Sequence, residues 1–287
     1  MKYKFTGKTK NANGKTLNQI VCVSAFSNVA VGNLGGWIES DKNLSQNGNA
    51  WVSGDAEVYG NAEVSGNAEV SGNAEVYGNA QVSGYAQVSG YAEVYGNAQV
   101  YGDAQVYGNA EVSGDAQVYG NTKVYGNAQV SGYAQVSGYA EVYGNAQVSG
   151  YAQVSGYAEV YGDAQVSGYA QVSGYAEVSG NAQVYGDAQV YGNAEVSGDA
   201  QVSGDAQVYG DAKIDSLSSV FWVSRIGSEF GTLTVFRSKS GISCCRGCFT
   251  GSIQEFEQAV LKTHGNNDTA KQYQLIIQLA KMKLGEK

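Results

Sequence analysis

A six-residue repeat of the form (N/D/Y)-A-(E/Q)-V-(Y/S)-G fills the middle of the sequence, from Asn49 to Gly210, in 27 copies without insertion or deletion. Within each copy, Ala and Val alternate with Glu or Gln, so the two apolar side chains share one face of a short strand. Gly and the polar or tyrosine residue after it supply a turn, because glycine accepts dihedral angles that other residues avoid. A strand of four residues cannot bury its apolar face alone. Successive copies must therefore coil and stack into a solenoid.

The outward Glu/Gln position indicates how many copies make one coil. Every third copy carries the same residue over long stretches, so like residues recur every 18 positions. One such series is Glu57, Glu75, Glu93, Glu111 and then Gln129 to Gln201; a second is Glu63 followed by Gln81 to Gln207; a third is Trp51, Glu69, Gln87, Gln105, Lys123, Glu141, Glu159, Glu177 and Glu195. The pattern predicts an all-β solenoid shaped as a triangular prism of about nine coils, with 18 residues per coil. Recent duplication of an 18-residue unit would leave the same pattern, and would still report the length of one coil.

The Ala-x-Val spacing, with an aliphatic residue at every sixth position, resembles the hexapeptide repeat of left-handed parallel β-helices, a fold found in bacterial acyltransferases. The segment GNLGGWIESDKNLSQNGNAWVSG, residues 32–54, is similar to the entry segment of a narrower group. That group consists of hexapeptide-repeat proteins of enterobacteria and their phages that are often labelled acyltransferases. The segment GCFTGSIQEFEQAVLKTHG, residues 247–265, resembles a module of its phage-associated members. The resemblance implies a left-handed coil and a phage or prophage context, and it implies no mechanism.

Both ends depart from the repeat. Residues 1–48 predict an N-terminal β cap, with a hairpin that turns at Asn13-Gly14 and a first irregular coil entered through Gly35-Gly36-Trp37. The repeat region then extends over 49–216. An open solenoid end exposes unpaired backbone groups and invites polymerisation, so the sequence assigns a capping role to both ends.

Residues 217–287 predict a small α+β domain. Its strands are expected at 219–224, 232–236 and 241–245. A capping box of Ser252 and Glu255 predicts a helix that ends near His264. A second helix is expected to be capped by Asp268 and to carry an apolar stripe of Tyr273, Ile276, Leu279 and Ala280.

Charge is distributed unevenly along the chain. Residues 49–216 carry a net charge of −17, whereas residues 1–48 and 217–287 each carry +4. An acidic prism excludes direct nucleic-acid binding along its walls, because phosphate contacts need Lys and Arg. No secretory signal and no apolar run of about 18 residues is present, which predicts no membrane insertion, reduced cysteines and a cytoplasmic location, the host cytoplasm if the protein is phage-encoded.

Catalysis is not expected from this sequence. Hexapeptide acyltransferases generally place a histidine base on the prism, and the only histidine here is His264, outside the repeat. We therefore predict a protein that is not an enzyme and has no cofactor. Cys244, Cys245 and Cys248 could be combined with His264 into a zinc site. Adjacent strand residues point to opposite faces, so buried structural thiols and no metal site are the expectation.

A glutamate ladder also lies within the repeat, at Glu141, Glu159, Glu177 and Glu195. Its carboxylates would stack at the strand spacing of about 5 Å and could recruit a hard cation such as calcium. Weak screening by solution ions is the expectation.

Tyrosine is the most informative outward residue, because 20 of the 22 tyrosines lie in the repeat and occupy only two positions. Twelve follow Val, and eight occupy the turn, always after Ser-Gly, so no corner carries two rings. The 18-residue period predicts three ladders: Tyr107, Tyr125, Tyr143 and Tyr161; Tyr133, Tyr151 and Tyr169; and Tyr139, Tyr157 and Tyr175. Stacking could serve the solenoid alone. Alternatively, the ladders form an aromatic and amide surface that binds a protein partner, a second copy of the chain or a glycan.

The sequence therefore favours a non-catalytic, phage- or prophage-associated scaffold with a Tyr/Gln/Glu-rich binding surface. Three alternatives stay open: a degenerate acyltransferase, an acidic mimic of DNA that inhibits a nucleic-acid enzyme, and a weaker one, an ice-binding surface, which threonine ladders would favour. One copy of the repeat, NTKVYG, is irregular. It predicts that Thr122 points inward in place of Ala, with its hydroxyl bonded to the backbone.

Overall fold

The computed structural model describes residues 1–285, and the chain divides into two compact units, Met1–Ser155 and Gly156 onward. In both units, strands pair in parallel with the strands 18 residues away, as Glu57 does with Glu75 and Glu159 with Glu177. The chain is therefore a parallel β-solenoid with three repeats per coil, as the sequence predicts. The left-handed sense of the coil and the domain limits at 48 and 216 stay predictions.

The first unit begins with the predicted hairpin. Strands β1 (Tyr3–Ala12) and β2 (Lys15–Cys22) pair antiparallel around a tight turn, where Asn13 and Gly14 have φ of 50° and 77°. Strand β3 (Leu34–Ile38) pairs antiparallel with β2 on one side and parallel with Glu57–Val58 on the other. It connects the hairpin to the solenoid.

Three walls form the solenoid of the first unit. The mixed wall continues from β3 through Glu57–Val58, Glu75–Val76, Glu93–Val94, Glu111–Val112, Gln129–Val130 and Gln147–Val148. The glutamine wall consists of Glu63–Val64, Gln81–Val82, Gln99–Gly102, Gln117–Gly120, Gln135–Val136 and Gln153–Val154. The glutamate wall consists of Trp51–Val52, Glu69–Val70, Gln87–Val88, Gln105–Val106, Lys123–Val124 and Glu141–Val142.

The interior of this unit is built from the Ala and Val positions, whose side chains are fully buried. Val58, Val64 and Val70 lie in three different walls, and Val76 pairs with Val58, as predicted. Each buried valine contributes about 1.5 kcal/mol of apolar transfer free energy. The repeat is thus held together mainly by its narrow core.

The turn glycines bring consecutive coils into contact. Gly78 has φ of 72°, and a Cβ on it would lie 3.0 Å from both the amide nitrogen and the carbonyl oxygen of Gly96. Two constraints therefore act at this position, the left-handed dihedral and the closeness of the next backbone.

Thr122 takes the place of an alanine and is fully buried, as predicted. The expected bond from its hydroxyl to the backbone is wrong, because Oγ1 has no hydrogen-bond partner among the described residues. The alanine-sized site encloses the side chain, and the backbone groups around it already pair between coils.

The second unit continues the repeat and ends in a separate sheet. Its solenoid strands are Glu159–Val160, Gln165–Val166, Gln171–Val172, Glu177–Val178, Gln183–Val184, Gln189–Val190, Glu195–Val196, Gln201–Val202, Gln207–Val208 and Lys213–Ile214. The terminal sheet is antiparallel and contains Val220–Ile226, Gly231–Ser238, Gly241–Arg246 and Phe249–Ser252. The last of these strands was not predicted. It is short and is joined to its neighbour by a tight turn at Gly247, with φ of 58°.

Two helices follow this sheet. Helix α1 (Ile253–His264) has the predicted capping box of Ser252 and Glu255. Helix α2 (Asp268–Leu284) is capped by Asn267, whose side chain accepts a hydrogen bond from the amide of Ala270 at 3.0 Å. The prediction of Asp268 as the cap was wrong by one residue, because the backbone of Asn267 is still extended.

The buried face of α2 also differs from the predicted stripe. Tyr273 and Ala280 are buried as expected, whereas Ile276 is only partly buried and Leu279 is 43% exposed. The buried positions of the helix are Ala270, Tyr273, Ile277, Ala280 and Leu284. Both stripes have helical spacing, and packing against the sheet and α1 decides between them.

Near each end of the solenoid, polar side chains form hydrogen bonds with backbone groups of the last coils. In the first unit, Asn43 donates to the carbonyls of Gly60 and Ala62, and the Lys2 ammonium donates to the carbonyl of Ala50 at 2.6 Å. These carbonyls would otherwise face an open end. In the second unit, the backbone amide of Gln207 donates to the hydroxyl of Thr234 in the terminal sheet. The predicted capping role of both ends therefore has a physical basis in hydrogen bonding.

Candidate binding surface

The turn tyrosines are the most exposed aromatic side chains of the solenoid. All eight are between 47% and 66% exposed: Tyr85, Tyr91, Tyr133, Tyr139, Tyr151, Tyr157, Tyr169 and Tyr175. Each follows a glycine with a positive φ, which turns the chain sharply and points the next side chain away from the core. Among the tyrosines that follow Val, Tyr107, Tyr125, Tyr143 and Tyr161 are half-buried, whereas Tyr59 is buried and Tyr185 is 38% exposed.

The predicted ladders are present wherever two members lie in one unit. In the first unit, the ring centroids of Tyr133 and Tyr151 are 4.8 Å apart. The ring centroid of Tyr125 lies 4.9 Å from that of Tyr107 and 4.9 Å from that of Tyr143. In the second unit, the rings of Tyr157 and Tyr175 stack at 5.0 Å. The rings are nearly parallel, so each ring covers a face of its neighbour and directs its edge and hydroxyl outward. The steps from 143 to 161, from 151 to 169 and from 139 to 157 join the two units and stay predictions.

The tyrosines that follow Val make a contact that the sequence analysis missed. Several of the hydroxyls donate to a glutamate 16 residues later, on the next coil, as that of Tyr77 does to Glu93 at 3.0 Å. The other pairs that show this bond are Tyr59–Glu75, Tyr95–Glu111, Tyr125–Glu141 and Tyr161–Glu177. A signal was available, since a Glu lies 16 positions after six of the twelve tyrosines that follow Val. Burial raises the pKa of the Tyr77 phenol, and its hydrogen bond to Glu93 raises it further, so the hydroxyl stays a donor.

Lysine side chains form ion pairs with some of the glutamates on the solenoid. Lys10 of β1 pairs with Glu57 at 2.7 Å, Lys123 pairs with Glu141 at 2.7 Å, and Lys239 of the terminal sheet pairs with Glu195 at 3.2 Å. Both terminal segments therefore bring a cation to a glutamate of their own unit. The calcium-binding alternative for the glutamate ladder gains no support from these contacts.

From Gln81 onward, the strands of the glutamine wall in the first unit carry no charged side chain. Its copies 133–138 and 151–156 read YAQVSG and contain no charge. Tyr133 and Tyr151 occupy the corner where these strands begin, and Tyr139 occupies the corner where the first of them ends. The amides of Gln135 and Gln153 lie between the two corners, in paired strands. The same composition recurs in the second unit at 169–175, where Gln171 lies between Tyr169 and Tyr175.

Asparagine replaces tyrosine at the other corners and forms amide ladders. The side-chain amide of Asn61 donates to the side-chain oxygen of Asn79 at 3.0 Å, and Asn79 donates onward to Asn97 at 2.9 Å. An aspartate can accept and cannot donate, and Asp115 ends this series by accepting from Asn97. Asparagine is therefore compatible with every corner that tyrosine occupies.

Cys244, Cys245, Cys248 and His264 do not all converge on one site. Cys244 is buried in the core between the terminal sheet and the helices, whereas the Cys245 thiol points to the opposite face and contacts the side-chain oxygen of Gln207 at 3.1 Å. This divergence was predicted for adjacent strand residues. Burial raises the pKa of the Cys244 thiol to about 12.

Cys248 is exposed, so the prediction that it is buried was wrong. The turn after Arg246 carries it out of the sheet. It shares a cavity of about 420 Å³ with His264, Phe256 and Tyr273. Among residues 1–285, no group of three or more His, Cys, Asp or Glu side chains is placed to hold a metal ion.

Two comparisons bear on the class of protein that this fold defines. Residues 104–120 and 188–204 match the family description YdcK beta solenoid repeat. These matches lie within the six-residue repeat, and they agree with the coil described above, so the chain is a β-solenoid repeat protein. No curated protein matches the chain. Within the described residues, no helix is long and apolar enough to span a membrane.

Proposed function

We propose that this protein is a non-catalytic scaffold that binds a protein partner through the glutamine wall and its tyrosine corners, and that the partner is a second copy of the chain. The observation that carries the proposal is the exposure of Tyr133, Tyr139 and Tyr151, at 53%, 52% and 47%, beside strands without charge. Tyrosine is enriched and charge is depleted at the centre of protein interfaces. A flat, neutral wall with aromatic corners has that composition.

Charge is the argument for self-association. The repeat region is strongly acidic, so two copies repel each other wherever carboxylates meet. The mixed wall carries four glutamates between Glu57 and Glu111, and the glutamate wall carries Glu141. The charge-free copies 133–138 and 151–156 lie on adjacent coils, so two acidic solenoids can approach each other there without bringing strand carboxylates together. A two-fold symmetric contact would place the same tyrosines and glutamines on both sides.

A glycan is a weaker candidate for the occupant. Sugars usually stack on the open face of an aromatic ring, and in the Tyr133–Tyr151 pair each ring already covers a face of the other. The DNA-mimic alternative depends on free carboxylates, and several glutamates here accept hydrogen bonds from tyrosine or pair with lysine. A degenerate acyltransferase gains no support from the contacts of His264, whose ring lies 6.0 Å from that of Tyr273. The phage or prophage context rests on the sequence resemblance alone.

The oligomeric state of a matched pair of variants tests the proposal. Tyr133 and Tyr151 are replaced by Asn, which suits the corner and forms amide ladders there. The control replaces Tyr85 and Tyr91 by Asn, since both are similarly exposed but stand singly, with Asn or Asp one coil away on either side. We expect sedimentation equilibrium to show a dimer for the wild type and for the control, and a weaker dimer for the Tyr133/Tyr151 variant with an unchanged melting temperature.

Two results would contradict this function. A wild-type chain that stays monomeric at concentrations of about 100 μM, a range that includes weak complexes, would exclude self-association through the wall. A dimer that survives in the Tyr133/Tyr151 variant as well as in the control would place the interface elsewhere.

A further inference from the structure

The second unit contains a cavity of about 490 Å³ that no feature of the solenoid requires. It opens beside the hairpin that joins the second and third strands of the terminal sheet, next to the end of α2. The residues that define its chemistry are Ser218, Arg237, Ser238, Lys239, Ile242 and Leu284. Its volume is in the range of sites that take small molecules.

Arg237 is the unusual member of this group. Its Nε is buried and has no acceptor, and no carboxylate lies within ion-pair distance of its guanidinium anywhere in residues 1–285. A buried donor without an acceptor destabilises the folded chain. Such a group needs a partner that the described residues do not supply, and a bound water, ion or ligand can provide it. Arg237 lines the cavity, and a guanidinium can offer paired donors to a ligand bound there.

The charges around Arg237 limit the ligand to a single negative charge. Lys239 already pairs with Glu195, and the ammonium of Lys283 lies 5.7 Å from the centre of the Phe221 ring. Asp215 is the carboxylate that interacts with Arg237 at longer range, and hydrogen bonds from Ser219 hold its pKa below the usual value. One uncompensated cation next to a fixed carboxylate favours a monoanion over a dianion.

The remaining walls indicate the shape of the ligand. Ile242 and Leu284 supply apolar surface, and Ser218 and Ser238 are polar members of the lining. The planar fork of arginine matches the two oxygens of a carboxylate. We propose that this cavity binds a small monocarboxylate with a short apolar chain, whose carboxylate pairs with Arg237 and whose chain packs on Ile242 and Leu284.

Sodium hexanoate is the probe, and binding to the full chain is measured by isothermal titration calorimetry and by the shift in melting temperature. Wild type is expected to bind hexanoate and to show much weaker binding of hexan-1-ol, which has the same chain without the charge. Arg237→Gln should lose affinity by about tenfold or more, since the paired, charge-assisted hydrogen bonds are lost. Arg237→Lys keeps the charge without the fork and should fall between the two.

Arg225→Gln is the matched control, because it removes the same charge from an exposed position of the same sheet and should bind hexanoate like the wild type. Equal affinity in Arg237→Gln and wild type would overturn the proposal, as would equal binding of hexan-1-ol or of inorganic phosphate. If Arg237→Gln fails to fold, the proposal is decided by Arg237→Lys: unchanged affinity for hexanoate in that variant would overturn it.

Discussion

The hydroxyl of Tyr77 donates a hydrogen bond to Glu93 on the next coil at 3.0 Å, while the Tyr77 ring stacks between those of Tyr59 and Tyr95. One side chain thus ties three consecutive coils together, by its ring on both sides and by its hydroxyl on one. The same arrangement gives a glutamate in a closely spaced row a hydrogen-bond donor. Tyrosine and glutamate therefore stabilise the outside of the solenoid as a pair.

Removing only the hydroxyl tests this pairing. Tyr77→Phe keeps the stacked ring and deprives Glu93 of a donor, so we expect a loss of about 1 kcal/mol in the free energy of unfolding. Urea denaturation followed by circular dichroism measures it. Tyr101→Phe is the control, because Tyr101 stacks on Tyr119 in the same way and has Gln117, not Glu, 16 residues later. An equal loss in both variants would assign the effect to the ring and not to the bond with glutamate.

Stability should depend on pH through Lys2 and the tyrosines. Burial lowers the pKa of Lys2 from 10.5 to about 8. Between these values the unfolded chain holds a proton that the folded chain has released, so the free energy of unfolding rises with pH. Burial raises the pKa of Tyr59 from 10.0 to about 12. Above pH 10 the folded chain therefore holds the extra proton, and stability falls with pH.

The Lys2→Met variant separates the two effects. It should remove the rise in the urea midpoint between pH 8 and 9 and leave the fall at higher pH intact, because the buried Cys244 thiol, whose pKa is raised from 9.0 to about 12, opposes Lys2 above pH 9. An identical slope in wild type and Lys2→Met across the lower range would show that another group titrates there.

Thr122 should be replaceable with a gain in stability. Thr122→Val keeps the branched shape and substitutes a methyl group for a buried hydroxyl that has no partner within residues 1–285, so we expect a gain of about 1 kcal/mol. Thr122→Ala should be neutral or slightly stabilising, because the lost methyl contacts offset part of the gain. Thermal melts compare the three proteins, and a Thr122→Val variant less stable than wild type would mean that the hydroxyl has a partner, such as a bound water.

The turn glycines allow dihedral strain to be separated from close contact. Gly78→Ala should cost clearly more than Gly210→Ala, because the two share a positive φ, and a Cβ at Gly210 meets nothing within 4 Å. Strain alone is expected to cost about 1–2 kcal/mol, and contact with Gly96 adds to it. Hydrogen exchange at the amides around each glycine gives the local free energies. Similar losses of local free energy at Gly78 and Gly210 would show that the neighbouring coil shifts at little cost to accommodate the added Cβ.

Local alternation explains why so much of the solenoid could be predicted. Val58 and Val76 lie inside and stack because every copy repeats the same alternation, and an 18-residue period gives each outward residue a known neighbour. Tyr133 and Tyr151 stack for the same reason. The repeat is a periodic structure, so one correctly assigned coil determines the coils that follow it.

Contacts between non-repeating segments could not be predicted in this way. Lys2 donates to the carbonyl of Ala50, and Arg237 and Leu284 line one cavity, although the repeat does not relate the positions of these residues. The orientation of α2, which buries Ile277 and leaves Leu279 exposed, likewise depends on segments outside the repeat. The amino-acid sequence alone determined the coil, its core and its tyrosine ladders, because these follow from short-range alternation. Only the tertiary structure decided how the ends close and where an unpaired cation lies, because side chains distant in sequence settle those positions by packing against each other.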